Sequence, residues 1–256
     1  MILKDIIDII ESVAPLSGQE SWDNSGLQIG RKEADVASVL CCTDVTEAVM
    51  DEAIAKGCDL VLSHHPLLFH GLKTIQGATF QERVVEKALR HGVSVYSSHT
   101  AMDVWVHGVS GRMAEKIGIH DYEVLVPTGD GIGLGVIGEL ELPVSAEAFL
   151  ETVKKAFRVP AIRYTAGKGG LIKRVALGGG ACGEYFEEAI SKGADAFVSA
   201  EVKHHEWLQA TGRILLLDIG HFESEQYTKE LFRELLADKP VNVLFAESDV
   251  SPVQVY

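Results

Sequence analysis

The chain has 256 residues, enough for one large domain or two smaller ones with a substantial core. Its net charge of −14 argues against a nucleic-acid backbone as partner. No apolar run approaches the roughly 20 residues of a membrane span, so we expect no membrane association. Four cysteines without CxxC spacing predict reduced thiols. We therefore expect a cytoplasmic protein.

The first part of the chain alternates between helix and strand patterns. An amphipathic opening helix ends near Pro15, and a polar, turn-rich loop follows at 21–27. The predicted strands that follow are 36–43, 60–63 and 93–97, and the predicted helices are 46–56, 79–91 and 108–117. Strands that alternate with helices predict parallel pairing through right-handed crossovers.

The middle of the chain departs from this alternation, and the alternation then returns. Segment 122–170 contains a turn at 129–131, a glycine-weakened strand at 133–142, a helix at 146–156 and a strand at 161–165. The later predicted strands are 174–177, 196–199, 214–217 and 241–246, and the helices are 184–192, 202–210 and 224–236.

An internal repeat links the two parts. The run DEAIAKGCD at 51–59 matches EEAISKGAD at 187–195, an offset of 136 (195 − 59), and Ser63 then corresponds to Ser199. We therefore predict an α/β fold of two similar halves related by a pseudo-twofold axis, with mostly parallel sheets flanked by helices and a site between the halves. The predicted segments are a first half at 1–121, a central connection at 122–170 and a second half at 171–256.

Histidines and carboxylates stand at three predicted strand ends. The three groups are His64/His65, His99/Asp103 and His221/Glu225. Ligands collect at the carboxyl ends of parallel strands, so these groups are expected to converge. Imidazoles and carboxylates suit zinc, iron, manganese or nickel. One metal ion needs only about three or four protein ligands, so the larger set favours two divalent ions.

Several residues admit a simpler interpretation. Asp103 can instead cap a helix, and Glu225 can be an ordinary first-turn acid. Trp22 either lines a pocket or, as we expect, anchors its loop. Four other histidines are expected at the surface: His70, His91, His107 and His120. His204 and His205 are expected to be solvent-exposed or to support the ligands, and not to be ligands themselves. The glycine-rich run at 178–183 satisfies GxGxxG and has Glu201 downstream, but we expect a tight turn there instead of a nucleotide site.

Four motifs together resemble those of the NIF-three-like dinuclear-metal family, whose members are often labelled GTP cyclohydrolase I type 2 homologues. The motifs are SWDNSGL at 21–27, SHHP at 63–66, HTAMD at 99–103 and GHFESE at 220–225. The resemblance runs from the first helix to the last. It departs from the family pattern at Glu201, where Asp is usual, and at Ser25, where Val is usual.

The resemblance implies roles for individual residues. The implied metal ligands are His64, His65, Asp103, His221 and Glu225. Glu225 would bridge the ions, with His65 and Asp103 at one ion and His64 and His221 at the other. His99 would stand close by as a proton carrier or a support for the ligands. The resemblance also implies a homohexamer built as a trimer of dimers.

Two functions follow from this set of residues. The first is a metal-dependent hydrolase of a small molecule, and the cyclohydrolase label points to a nitrogen heterocycle or nucleotide-type substrate. The second is a non-catalytic scaffold that handles metal ions or regulates a partner. The ligands support both, because either function requires metal binding.

Overall fold

The computed structural model describes residues 1–129 and 131–255, so Asp130 of the predicted turn at 129–131 lies outside the described residues. The helices are α1 (Leu3–Glu11), α2 (Glu47–Ala55), α3 (Phe80–His91), α4 (Thr100–Asp103), α5 (Val109–Lys116), α6 (Ala146–Phe157), α7 (Phe186–Ser191), α8 (His204–Ala210), α9 (His221–Glu225) and α10 (Thr228–Leu235). The strands are β1 (Gly26–Ile29), β2 (Ser38–Cys42), β3 (Leu60–Ser63), β4 (Ser94–Ser97), β5 (Tyr122–Gly129), β6 (Ile132–Val144), β7 (Arg163–Tyr164), β8 (Ile172–Leu177), β9 (Ala196–Ser199), β10 (Leu215–Asp218) and β11 (Asn242–Phe245).

The chain forms two compact units. The first contains Met1–Met102 together with Thr228–Val250, and the second contains Asp103–Tyr227 and the residues after Val250. The predicted segments 1–121, 122–170 and 171–256 divide the chain along its repeat and stay a prediction.

The first unit is built on a five-stranded sheet in the order β1-β4-β3-β2-β11. Four of its strands run parallel, and only β1 at the edge is antiparallel to its neighbour β4. Leu40 and Val61 pack in one core cluster with residues of α2 and α3. The alternate residues Val39 and Leu60 are also fully buried. Burial on both faces explains why these strands read as continuous apolar runs.

The second unit is built on a six-stranded sheet in the order β5-β6-β8-β9-β10-β7. Its central strands β8, β9 and β10 are parallel. Val175 and Val198 pack with α5 and α6 in one cluster, whereas Ala176 and Phe197 pack with α7 and α8 in another. The segment predicted as a connection contributes β5, β6 and β7, which pair antiparallel and complete this sheet.

The internal repeat is visible in the hydrogen bonds of the two units. Asp59 Oδ2 accepts from the backbone N–H groups of Ala37 and Ser38, at 2.8 and 3.0 Å. Asp195 Oδ2 accepts in the same way from Lys173 and Arg174, at 3.0 and 2.9 Å. Both carboxylates therefore tie the start of one strand to the strand before it in sequence. The predicted fold class, a mixed α/β protein with two duplicated sheets flanked by helices, is confirmed.

One predicted helix is wrong. The pattern at 224–236 forms two helices, α9 and α10, separated by Gln226 and Tyr227. Tyr227 packs in the core of the second unit and donates a hydrogen bond to the Ala156 carbonyl. The next residue, Thr228, begins the return of the chain to the first unit. The helix therefore breaks where the two units make different packing demands.

Candidate metal centre

The first unit places its histidines at the carboxyl ends of two neighbouring strands. Strands β3 and β4 are in parallel register, with Ser63 opposite Ser97. The hydroxyls of these serines lie 2.7 Å apart, which fixes the two strand ends side by side. His64 and His65 follow directly after β3, and His99 follows β4 by two residues. The strand-end placement expected from the sequence is thus present in this unit.

Three imidazoles converge there. The ring centres of His64 and His65 are 4.9 Å apart, and His99 lies 5.4 and 5.3 Å from them. Each ring offers a nitrogen within 4.8 Å of the others, so the three can hold a metal ion. His64 is fully buried, whereas the His65 side chain is 21% exposed.

An oxygen acceptor orients both His64 and His65. The Nδ1 atom of His64 bonds the Ser98 carbonyl at 3.0 Å. Because a carbonyl only accepts, Nδ1 carries the proton, and the lone pair of the neutral ring is on Nε2. The Nδ1 atom of His65 bonds Asp44 Oδ1 at 2.9 Å in the same way. This is the usual support for a metal-binding histidine.

His99 is held by Asp23, in the polar loop at 21–27. Nδ1 of His99 lies 2.8 Å from Asp23 Oδ1. The Asp23 carboxylate is buried and also accepts from Thr100 and from the hydroxyl of Ser25 at 2.8 Å. Burial would raise the pKa of Asp23, but the hydrogen bonds from His99 and Thr100 hold it below its usual range. Asp23 is therefore an anion that orients His99.

Ser25, at the position where the resemblance led us to expect valine, connects Asp23 to His99 by hydrogen bonds. Its hydroxyl donates to Asp23 and accepts from the backbone N–H of His99 at 3.0 Å. Valine offers neither bond.

Trp22 is 57% exposed, and the centre of its ring lies 5.9 Å from that of His99. This exposure does not suit the loop anchor that we expected.

The Asp249 carboxylate holds the turn that carries Asp44. The Asp249 carboxylate accepts from the backbone N–H groups of Thr43 and Asp44, at 2.8 and 3.2 Å. Lys229 donates to the same carboxylate at 2.7 Å, and the Asp249 side chain is almost fully buried. The turn that presents Asp44 to His65 is therefore fixed by an ion pair from α10 and the segment after β11.

The second unit brings His221 and Glu225 together on α9. The Nε2 atom of His221 lies 3.1 Å from Glu225 Oε2, as the four-residue spacing on a helix allows. The Nδ1 atom of His221 bonds Glu201 Oε1 at 2.8 Å, so the longer side chain at the position of the expected Asp still reaches the ring. Glu201 has a left-handed backbone with a φ of 54°.

Asp103 and Glu225 do not serve their helices as caps. Asp103 is the last residue of α4, and the N-cap position of α5 belongs to Gly108. Glu225 is the last residue of α9, so the first-turn interpretation is wrong.

Burial raises the pKa of the Cys182 thiol, and the charges of Asp103 and Glu225 raise it further. Burial and these two charges therefore favour the neutral form of the thiol.

The glycine-rich run at 178–183 forms a turn whose amides are largely engaged within the protein. Gly179 and Gly180 donate to the hydroxyls of Ser110 and Ser224, at 3.3 and 2.9 Å. Gly180 has a φ of 61°, and a Cβ there would lie 2.2 Å from Glu225 Oε1. The turn therefore makes room for the Glu225 carboxylate, which favours the tight turn over a phosphate cradle.

The other histidines expected at the surface are exposed, as predicted: His70, His91, His107, His120, His204 and His205. All four cysteines are free thiols. Across residues 1–129 and 131–255, no helix combines the length and apolar character that a membrane crossing requires.

The residues described above fit a metal site. Neutral imidazoles with protonated Nδ1 atoms and buried carboxylates are the donors that zinc, iron, manganese and nickel accept. The contacts of Asp44, Asp23 and Glu201 with histidines were not predicted. Their only signal was an acid in a turn next to a strand end, which many proteins contain.

The fold and the site together place the chain in a broad class, that of duplicated α/β proteins with histidines clustered at the carboxyl ends of parallel strands. The family described as Duf34/NIF3 (NGG1p interacting factor 3) matches residues 1–252, and the chain belongs to this family. A Clostridium perfringens protein named GTP cyclohydrolase 1 type 2 homolog is 32% identical over 88% of this chain and 87% of its own length. A protein of the same name from Clostridium acetobutylicum is 30% identical over 87% of this chain and 85% of its own length.

Solved structures share the fold. A Staphylococcus aureus protein superimposes with a TM-score of 0.91 and 26% identity, covering 100% of this chain and 99% of that protein. A Bacillus cereus protein described as related to NIF3 superimposes with a TM-score of 0.89 and 23% identity, covering 100% and 99%. The family and fold expected from the four sequence motifs are therefore confirmed.

Proposed function

We propose that this protein binds two divalent metal ions and uses them to hydrolyse a small molecule. The proposed ligands are His64, His65, Asp103, His221 and Glu225, with zinc, iron, manganese or nickel as the ions. The proposed substrate is a nitrogen heterocycle or a nucleotide-type molecule. The names of the clostridial relatives motivate this substrate class.

The observation that carries the proposal is the set of oriented imidazoles at the ends of β3 and β4. His64 and His65 each have Nδ1 bonded to an oxygen acceptor, which leaves the ring in the form that binds metals. His221 is oriented in the same way by Glu201. An ordinary surface histidine does not need a buried or charged acceptor of this kind. The carboxylate of Glu225 is nearly fully buried, which suits an acid that neutralises a cation.

The chemistry divides between the ions and the side chains. When bound, two divalent ions lower the pKa of a water molecule and polarise a substrate oxygen. His99 is the proposed proton carrier. Asp23 accepts from its Nδ1 at 2.8 Å, so Nε2 can take up a proton while the Asp23 anion stabilises the imidazolium. Both ends of this pair are fixed, because Ser25 bonds Asp23 and the His99 backbone.

The metal site is tested by removing one proposed ligand from each unit. The double variant His64→Ala/Glu225→Ala is expected to lose bound metal, measured as equivalents per chain by elemental analysis, with unchanged helix content in circular dichroism. The matched control is His70→Ala/His91→Ala, which removes two exposed histidines. If the double variant retains two equivalents of metal, the proposed site is wrong.

A second variant separates the hydrolase from the scaffold. His99→Gln is expected to keep both metal equivalents and to lose turnover when the loaded protein is tested with nucleotides, cyclic imides and phosphodiesters. Activity that survives both chelation and this substitution would exclude metal-dependent hydrolysis. Metal binding without turnover of any compound would favour the scaffold.

The resemblance also leads us to propose a homohexamer in the cytoplasm. The mass expected in sedimentation is six times the chain mass of 27.7 kDa. A monomer or dimer at micromolar concentration would contradict the hexamer without affecting the metal site of each chain.

A further inference from the structure

Two large aromatic rings are exposed beside His99. Trp22 is 57% exposed and Phe69 is 40% exposed, although large aromatic side chains usually bury their surface. Their rings stack on each other, with centres 5.7 Å apart and planes inclined by 21°. Each ring also contacts His99, at 5.9 Å from Trp22 and 5.8 Å from Phe69. The pair therefore lies at the imidazole cluster and faces solvent.

Hydrogen bonds hold the two loops that carry these rings. Asn24 donates from Nδ2 to the Leu68 carbonyl at 2.5 Å, which joins the Trp22 loop to the residue before Phe69. Gln28 strengthens the same connection, because it donates to the Asn24 carbonyl at 2.6 Å and accepts from the Leu68 N–H at 3.1 Å. The ring pair is thus preorganised, and a ligand would not have to order it on binding.

We propose that Trp22 and Phe69 form a stacking platform for a planar nitrogen heterocycle of nucleobase type, placed next to His99. This inference rests on the proposed function and defines the substrate class of that site. Flat rings gain most from stacking on aromatic faces, and any base can use such a face. An aliphatic substrate would make poor use of two exposed aromatic rings.

The test measures binding of guanosine to the metal-loaded protein by equilibrium dialysis. Guanosine has no phosphate, so its binding does not report phosphate attraction to a metal, and ribose serves as the probe without a base. Trp22→Ala is expected to weaken guanosine binding roughly 5- to 150-fold, the range for loss of one aromatic stack under a base. Trp22→Phe keeps a ring and is expected to bind within about threefold of the wild type. Ribose is expected to show no dependence on Trp22.

Controls distinguish the platform from the metal site and from a subunit contact. Phe80→Leu removes another exposed aromatic ring, 46% exposed, and is expected to leave guanosine binding unchanged. Trp22→Ala is expected to keep its metal content, so a loss of nucleoside binding with metal retained supports the platform. A wild-type protein that binds no metal would contradict the proposed function. Its nucleoside binding could still be measured, so the two failures can be told apart.

Three results would overturn the inference. The first is no saturable binding of guanosine, adenosine or cytidine by the wild type up to their solubility. The second is equal guanosine affinity in the wild type and Trp22→Ala. The third is an altered sedimentation mass in Trp22→Ala, which would identify the rings as a contact between subunits.

Discussion

The turn at Gly180 allows a sharp test of the role of Glu225. In Gly180→Ala, the new Cβ would lie 2.2 Å from Glu225 Oε1, so the carboxylate must retreat by about 1 Å to reach ordinary contact. A metal–ligand bond tolerates only about 0.2 Å, so the displaced oxygen would no longer bind well. We expect metal affinity to fall roughly 10- to 100-fold. The variant also places alanine at a φ of 61°, which costs about 1–2 kcal/mol of stability.

Gly193→Ala is the matched control. Gly193 also has a left-handed backbone, with a φ of 79°, but a Cβ there would meet no atom within 4 Å. Both variants should lose free energy of unfolding through the left-handed backbone in urea titrations, and Gly180→Ala should lose more because its Cβ also displaces Glu225. Only Gly180→Ala should lose metal affinity, measured by competition with a chelator for zinc. Equal zinc affinity in the two variants would refute the idea that the turn at Gly180 exists to accommodate a metal-binding carboxylate.

Three further predictions concern acids of the two units. Burial would raise the pKa of Glu52, but hydrogen bonds from Lys56 and the segment after β11 lower it from 4.5 to about 2. Its contribution to the free energy of unfolding is therefore present above pH 4.5 and lost as pH falls toward 2. When the urea midpoint is measured as a function of pH, Glu52→Gln should show a smaller change over this range than the wild type. Asp249→Ala should cost about 3–5 kcal/mol in urea titrations, because it removes a buried carboxylate that pairs with Lys229 and accepts from two backbone amides. The exposed Asp238→Ala should stay within about 0.5 kcal/mol. Glu201→Ala should weaken zinc binding roughly 10- to 100-fold in chelator competition, and Glu201→Gln, which keeps an acceptor for His221, should weaken it less. The first expectation is contradicted if Glu52→Gln leaves the pH profile unchanged. The second is contradicted if Asp249→Ala costs no more stability than Asp238→Ala, and the third if Glu201→Ala binds zinc as tightly as the wild type.

The sequence was sufficient to predict the features that repeat or alternate. The match between Asp59 and Asp195 predicted the duplication, and both carboxylates make the same pair of backbone contacts. The apolar runs predicted the parallel strands, because burial on both faces leaves a continuous hydrophobic signal. The pattern at 122–170 was weaker, since the glycines of β6 lower its strand propensity and hide a hairpin that completes the second sheet.

The acceptors that orient the histidines could not be predicted, for a physical reason. Asp23 lies 76 residues before His99, and Asp44 lies 21 residues before His65. Their pairing depends on where two turns come to lie after the strands have paired, and no local spacing encodes that position. The histidine–carboxylate spacing on α9 was visible because a helix brings residues four apart onto one face.

The turn that presents Asp44 depends on residues distant along the chain. Asp249 and Thr43 are separated by 206 positions, and β11, just before Asp249, pairs with β2. A ribosome synthesises the chain from its amino end, so His64, His65 and His99 emerge long before the carboxylate that fixes the turn beneath His65. Contacts of such separation form slowly, because a long loop must close first. A nascent chain therefore exposes the three histidines of the proposed metal site before the turn that orients His65 has its final support.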